Sequence, residues 1–253
     1  MIRLLLIATG LLTMASAHSQ VYDASSVFAH NDYERDVPFH TAYDLKVGFI
    51  EADVFLVDSQ ILVAHHKHEI NPDRTLESLY LQPLQEKIRE NGGYVYNDPR
   101  RTLTLMIDLK TEGVSTLDAV VSSLDDYPEV IRCPTLYIMI SGSVPDPQKW
   151  RNYPSYITFD GRPGIPYTRS QLKRIRMIST SFSEHVTWDG TGSIPREALQ
   201  KIKALMADAH GKKKLFRFWG TPDFENAWKE FMRAKMDVIV TDDVTALAAY
   251  LHK

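Results

Sequence analysis

Short apolar runs, most of them ending at a polar or ionisable residue, recur along this chain with helix-like stretches between most of them. They fall at residues 25–29, 47–56, 103–107, 136–140, 156–159, 176–179, 214–218 and 237–240. Runs of this kind read as strands buried on both faces, as in a parallel sheet. Helical spacing marks 39–46, 76–91, 116–124, 195–209, 224–234 and 244–251, with Leu79, Leu81, Leu84 and Ile88 on the apolar side of the second. Gly48 is expected to close the first helix and Gly92-Gly93 the second. Asp58-Ser59-Gln60 turns the second strand back into 61–64, an extra hairpin partner or an extension of that strand. Eight parallel strands separated by helices close into a (β/α)8 TIM barrel more economically than into an open sheet. The sequence contains no internal repeat, low-complexity stretch or Gly/Ser linker, so a single domain is expected.

The first residues are of another kind. Arg3, a short apolar run over 4–12 and the small residues Ala15-Ser16-Ala17 form a secretory signal peptide, with cleavage expected between 17 and 20. The run is too short to span a bilayer, and nothing later is apolar enough to do so. The expectation is an exported protein, periplasmic or secreted, with the barrel over 21–253. A net charge of −3 with mixed signs argues against a nucleic-acid partner. Cys133 is the single cysteine, so no intramolecular disulfide forms; between the strand-like pairs Val130-Ile131 and Leu136-Tyr137 it reads as a small buried hydrophobe.

The second strand carries the chemistry. Glu51 and Asp53 interrupt an apolar run two residues apart, so both side chains point the same way. Neighbouring carboxylates repel and resist desolvation unless a cation compensates them, and Mg²⁺ or Ca²⁺ suits oxygen donors. The alternative is an edge strand with two solvated acids. Polar residues collect where the other strands end: His30, Asp108, Lys110, Ser141, Asp160, Arg162, Ser181, Arg217, Trp219 and Asp242. In a barrel those ends share one mouth, where active sites are built.

Each of these has a plainer reading. His65, His66 and His68 lack a usual zinc spacing and read as a solvated loop. Asp108 and Lys110 are either a salt bridge or, the preferred reading, a third metal ligand beside a phosphate-binding cation. Asp160-Gly161-Arg162-Pro163 could be a tight turn only, and Arg217 with Trp219 a core aromatic under a capping Arg. Lys212-Lys213-Lys214, before a strand and at the end opposite the mouth, reads as a solvated loop.

Taken together, Ala29-His30-Asn31-Asp32, Glu51-x-Asp53-Val54, Val63-Ala64-His65, Ile107-Asp108-Leu109-Lys110, Trp219 and the closing 237–242 segment resemble a known superfamily. It is that of the glycerophosphodiester phosphodiesterases and phosphatidylinositol-specific phospholipases C. Asn31 stands where the phosphodiesterases usually have Arg, and His66 where they usually have Asp. Asp108 with Lys110 is closer to the sphingomyelinase D branch than to the usual Glu-x-Lys, and 66–108 leaves little room for an inserted cap.

The resemblance implies an exported phosphodiesterase acting on glycerophosphodiesters or phospholipid headgroups. Glu51, Asp53 and Asp108 would hold one divalent cation, Mg²⁺ or Ca²⁺. His30 and His65 would serve as general base and general acid. Asn31, Lys110, Arg162 and Arg217 are expected at the substrate, with Trp219 walling its alcohol portion. The family chemistry also allows attack by an adjacent substrate hydroxyl to give a cyclic phosphate. Alternatives are a phospholipase C or D acting on intact lipid, and a catalytically silent barrel that binds phosphate esters.

Overall fold

Along most strands of the barrel an apolar inner layer gives way to polar residues toward the carboxyl end, and this change builds the mouth. The computed structural model describes residues 22–252; the expected signal peptide lies outside them. The strands are β1 (Val27–Ala29), β2 (Phe49–Val57), β3 (Gln60–Val63), β4 (Leu103–Leu109), β5 (Leu136–Gly142), β6 (Ile157–Gly161), β7 (Ile175–Ser181), β8 (Leu215–Trp219) and β9 (Ile239–Thr241). The helices are α1 (His40–Asp44), α2 (Gln82–Glu90), α3 (Gly113–Asp125), α4 (Pro128–Arg132), α5 (Arg169–Arg174), α6 (Arg196–Gly211), α7 (Glu225–Arg233) and α8 (Val244–Leu251). Eight parallel strands run in the order β8-β7-β6-β5-β4-β2-β1-β9, and the two ends of this path meet in a nearly closed barrel. β3 is the expected hairpin partner, antiparallel to β2, with Asp58 and Ser59 both at positive φ in the turn.

Two apolar clusters follow from strand alternation. Phe28, Phe49, Met106, Met139, Met177, Val238 and Val240 pack together inside the barrel. Their sequence neighbours, such as Ile50, Leu105, Ile107, Ile138, Ile140 and Ile178, belong to the larger cluster beneath the helices. Two residues further along the inner face, the apolar layer gives way to polar groups. Phe28 is followed by His30, Phe49 by Glu51 and Asp53, Met106 by Asp108, Met139 by Ser141, Met177 by Ser179, and Val240 by Asp242.

Several local expectations are corrected. Val130 and Ile131 lie in α4, because Pro128 at the start of that helix favours a helical turn over their β-branched tendency; Cys133 is nonetheless buried. Ser25 and Ser26 form a 3-10 turn rather than the start of β1, with the Asp23 side chain accepting from the Ser25 N–H. A π turn over Glu77–Leu81 precedes α2 and shifts its face, so Tyr80 and Leu81 are buried and Leu79 only partly so. Lys46, not Gly48, takes the left-handed position after α1.

Gly48 has another role. A Cβ there would stand 2.0 Å from the Ser25 carbonyl oxygen, and its N–H donates to Ala24 at 3.0 Å. Backbone meets backbone, so no side chain can yield to make room. Gly48→Ala is therefore expected to lower stability by roughly 1–3 kcal/mol, read as a shifted midpoint in denaturant unfolding.

Candidate active site

β1 delivers His30 and β9 delivers its partner. The His30 N–H donates to the Thr241 carbonyl at 3.0 Å, continuing the β1–β9 ladder past its last strand residues. That register sets His30 Nδ1 2.7 Å from Asp242 Oδ1, while Nε2 lies 3.6 Å from Glu51 Oε2. Asp242 is itself anchored: its N–H donates to Asp223 at 2.7 Å, and Arg35 donates to its carbonyl at 2.6 Å. Burial works against the charged imidazole, but the Asp242 hydrogen bond and the Glu51 charge outweigh it, so the His30 pKa is raised.

β2 and β4 bring the carboxylates together. Asp53 and Asp108 are register partners across the parallel ladder. Lys110, just past β4, sets its ammonium 2.8 Å from Asp53 Oδ2 and 2.7 Å from Asp108 Oδ2. Burial opposes this ammonium, yet the two carboxylates raise its pKa and keep it charged. Glu51 is 5 % exposed. Burial pushes its pKa up to about 7 against the pull of Arg217 and His30, and the charges of Asp53 and Asp108 add to the rise. Its Oε1 lies 3.9 Å from Arg217 Nη2, and its Oε2 is buried with no hydrogen-bond partner.

Tyr33 is the residue that the sequence reading missed. Its hydroxyl lies 2.8 Å from Asp53 Oδ2, 2.9 Å from His65 Nδ1 and 2.9 Å from Asn31 Oδ1. A phenol has one proton for three partners, and the carboxylate is the strongest acceptor among them. With that proton on Asp53, His65 carries its own on Nδ1 and donates it to the Tyr33 oxygen, which leaves Nε2 for chemistry. Burial and the Asp53 charge raise the Tyr33 pKa, so the phenol keeps its proton. A tyrosine three residues after a histidine carries no periodic signal; only the 3-10 turn Asp32–Glu34 aims it back at the mouth.

The remaining expected residues divide by position. Asn31 sits at φ 46°, a left-handed conformation that Asn tolerates better than most residues. Arg217 is 3 % exposed, stacked 4.0 Å from the Phe28 ring behind Glu51, so it neutralises that carboxylate instead of lining the open mouth. Arg162 pairs with buried Asp160 at 2.6 Å and reaches Ser179 at 3.1 Å, a polar group on the β5–β7 side of the barrel rather than a bare turn. Trp219 is 40 % exposed at the end of β8. His66 and His68 are exposed, as a solvated loop should be.

Whether these donors suit a divalent cation can be tested on charge and satisfaction. Glu51, Asp53 and Asp108 present three carboxylates against the two permanent cations Lys110 and Arg217, with His30, whose pKa is raised, beside Glu51. One Glu51 oxygen is buried without a partner. Among the described residues no three donors already stand as a coordination sphere, because Lys110 lies between Asp53 and Asp108. The donor set, hard oxygens with one left unsatisfied, fits Mg²⁺ or Ca²⁺.

Comparison with known proteins bears on the same residues. Residues 17–130 match the AIM6-like phosphodiesterase domain, a segment that carries His30, Tyr33, Glu51, Asp53, His65, Asp108 and Lys110. Residues 216–245 match the glycerophosphoryl diester phosphodiesterase family and carry Arg217, Trp219 and Asp242. Over these two segments the chain is similar to phosphodiesterase families. It is 25 % identical to the altered inheritance of mitochondria protein 6 homolog of Arthroderma benhamiae, over 88 % of this chain and 83 % of that protein. It is 24 % identical to altered inheritance of mitochondria protein 6 of Eremothecium gossypii, over 88 % of this chain and 69 % of that protein. In fold it is similar to a glycerophosphodiester phosphodiesterase from Parabacteroides distasonis, with a TM-score of 0.56 at 14 % identity, covering 91 % of this chain and 98 % of that one.

Beneath these residues, Asp32 holds the loop that presents His30, Asn31 and Tyr33. It is fully buried and accepts from the Phe39 N–H at 2.6 Å, the Tyr80 hydroxyl at 3.1 Å and Arg35 Nε at 3.3 Å. Burial raises its pKa, and these donors pull it back without restoring the ordinary value. Removing the carboxylate strands three donors, one of them charged. Asp32→Ala is expected to lose roughly 3–5 kcal/mol of stability, measured by denaturant unfolding of the purified variant.

Proposed function

We propose that this protein is a divalent-cation-dependent phosphodiesterase acting on glycerophosphodiesters or phospholipid headgroup phosphodiesters. The observation that carries the reading is the pair of oriented histidines at one mouth. Asp242 holds His30 through Nδ1 and Tyr33 holds His65 through Nδ1, with three carboxylates and an ammonium between the elements that bear them. A carboxylate or hydroxyl on one ring nitrogen frees the other to move a proton at a substrate oxygen.

Glu51, Asp53 and Asp108 would hold the cation, which when bound polarises a phosphoryl oxygen and offsets the charge that builds there. Lys110 adds a fixed positive charge beside the same oxygens. His30 and His65 take a proton from the attacking oxygen and give one to the departing alcohol. Arg217 stands behind Glu51 and favours its charged form against the effect of burial. The deciding experiment follows hydrolysis of glycerophosphodiesters, phosphatidylinositol and lysolipids by phosphorus NMR, with Mg²⁺, with Ca²⁺ and with chelator. Turnover that needs a metal supports the proposal, and a folded protein that cleaves none of these substrates sinks it.

One observation favours a lipid phosphodiester as the second reading. Of the exposed large apolar residues, Trp219 ends β8 and Val37, Ile165 and Phe224 lie in the segments that follow β1, β6 and β8, whereas Tyr94 precedes β4. An apolar rim at that mouth suits an alcohol or ester with hydrocarbon attached. Faster cleavage of phosphatidylinositol in vesicles than of soluble glycerophosphoinositol would select this reading.

The histidine assignment predicts that His30→Ala and His65→Ala each lower kcat by about 10²–10⁴-fold. Tyr33→Phe keeps the ring and removes the hydroxyl 2.9 Å from His65 Nδ1, leaving only Asp53 Oδ2 at 3.4 Å, so a loss of about 10–100-fold is expected. Steady-state kinetics with folding checked by circular dichroism measures both, and unaltered kcat in the histidine variants rejects the assignment. Glu51→Gln removes a charged donor, and the metal concentration for half-maximal activity should rise by about 10–100-fold; an unchanged metal titration rejects Glu51 as a ligand.

A further inference from the structure

The floor of the barrel, opposite the mouth, contains a hollow of about 340 Å³ lined by Ile175, Arg176, His210, Lys213, Lys214 and Leu215. Its polar lining is entirely basic. Among the described residues, Arg176, Lys213 and Lys214 make no ion pair with a carboxylate. Nearby acids are already engaged: Asp237 with His210 at 2.8 Å, Asp23 with Arg101 at 3.0 Å and Asp98 with Arg100 at 2.9 Å.

Arg176 is held in place by neutral groups alone. Its guanidinium stacks 3.7 Å from the Tyr137 ring centre, and its Nε lies 3.5 Å from Thr104 Oγ1. Burial lowers its pKa, and burial together with the Arg176 charge lowers that of Lys214. Arg176 and Lys214 are both half-buried and neither is ion-paired within 4.0 Å among the described residues, although Asp23, Asp98 and Asp237 line the adjoining hollow with Arg176. Two such cations near one another raise the energy of the fold. The C-terminus of α6 offers partial compensation to Lys213 and Lys214, which follow it directly. It does not account for Arg176, which comes from β7. The N-terminal face of a (β/α)8 barrel serves stability, and an uncompensated basic hollow there detracts from it.

We propose that this hollow binds a small oxyanion of the phosphate class, at a site separate from the mouth. A phosphate oxygen accepts from the forked guanidinium of Arg176, while the two ammonium groups supply charge from the α6–β8 turn. The size of the hollow admits a phosphate or a compact phosphate monoester, and the proposal does not depend on the chemistry at the mouth.

The test titrates inorganic phosphate into the ¹⁵N-labelled protein and follows backbone amide shifts. The Arg176, Lys213, Lys214 and Leu215 amides should move and approach saturation by about 10 mM, as expected for a dissociation constant of about 1 mM or tighter. Phosphate at the mouth reports separately, through His30 and Lys110. The double variant Lys213→Gln/Lys214→Gln changes two side chains outside the proposed catalytic machinery. It should weaken the floor response by at least about 10-fold while leaving the mouth response and any phosphodiesterase activity unchanged. Floor amides that stay still in the wild type, or that respond equally in the double variant, overturn the proposal.

Discussion

Glu51 and Asp53 are carboxylates on the inner wall of a barrel, where water cannot solvate them freely, and the surroundings must supply what water would. Elements on the β8–β1–β4 side of the mouth supply that compensation. β4 runs into Lys110, β8 brings Arg217 behind Glu51, β1 ends at His30, and the turn after β1 carries Tyr33 to Asp53. None of these partners is within fifteen residues of both carboxylates. The compensation therefore exists only when the sheet has wrapped, and the site and the closed fold are consequences of each other.

The same dependence explains which parts of the site were legible in the sequence. Parity along a strand is a local property, so Glu51 with Asp53, Asp108 with Lys110, and Arg217 with Trp219 could be paired before any fold was known. Depth is not local. Arg217 shares its face with Trp219, yet lies two residues deeper in the barrel, which turns an expected substrate contact into the buried partner of Glu51. The His30–Asp242 pair joins the first and last strands, 212 residues apart. Asp242 stood out only as a polar residue at a strand end; its role depends on the β1–β9 register.

Loops and turns were less legible because their signals compete. Val130 and Ile131 favour a strand by propensity, but Pro128 sets a helical dihedral at the start of the segment and prevails. Gly48 looked like a helix terminator because glycine usually supplies a left-handed turn. Here Lys46 adopts that conformation, and the glycine is required by close backbone approach two residues later. Tyr33 is hidden for a related reason: a short turn follows no period, so the direction of its side chains depends on what Asp32 grips beneath it.

Helix dipoles add an axial field to the small net charge of the chain. In an α/β barrel each helix begins near the mouth and ends near the floor, so the helix N-termini surround one opening and the C-termini the other. That arrangement favours acids and bound anions at the mouth and bases at the floor. Acids and phosphate at one opening compete for the same favourable field, however, and a site that contains three carboxylates cannot also attract a phosphodiester without additional positive charge. Lys110 supplies one such charge permanently, at the boundary between the carboxylates. The unsatisfied oxygen of Glu51 marks where a further cation gains most, because there it would meet a buried acceptor that no protein donor reaches.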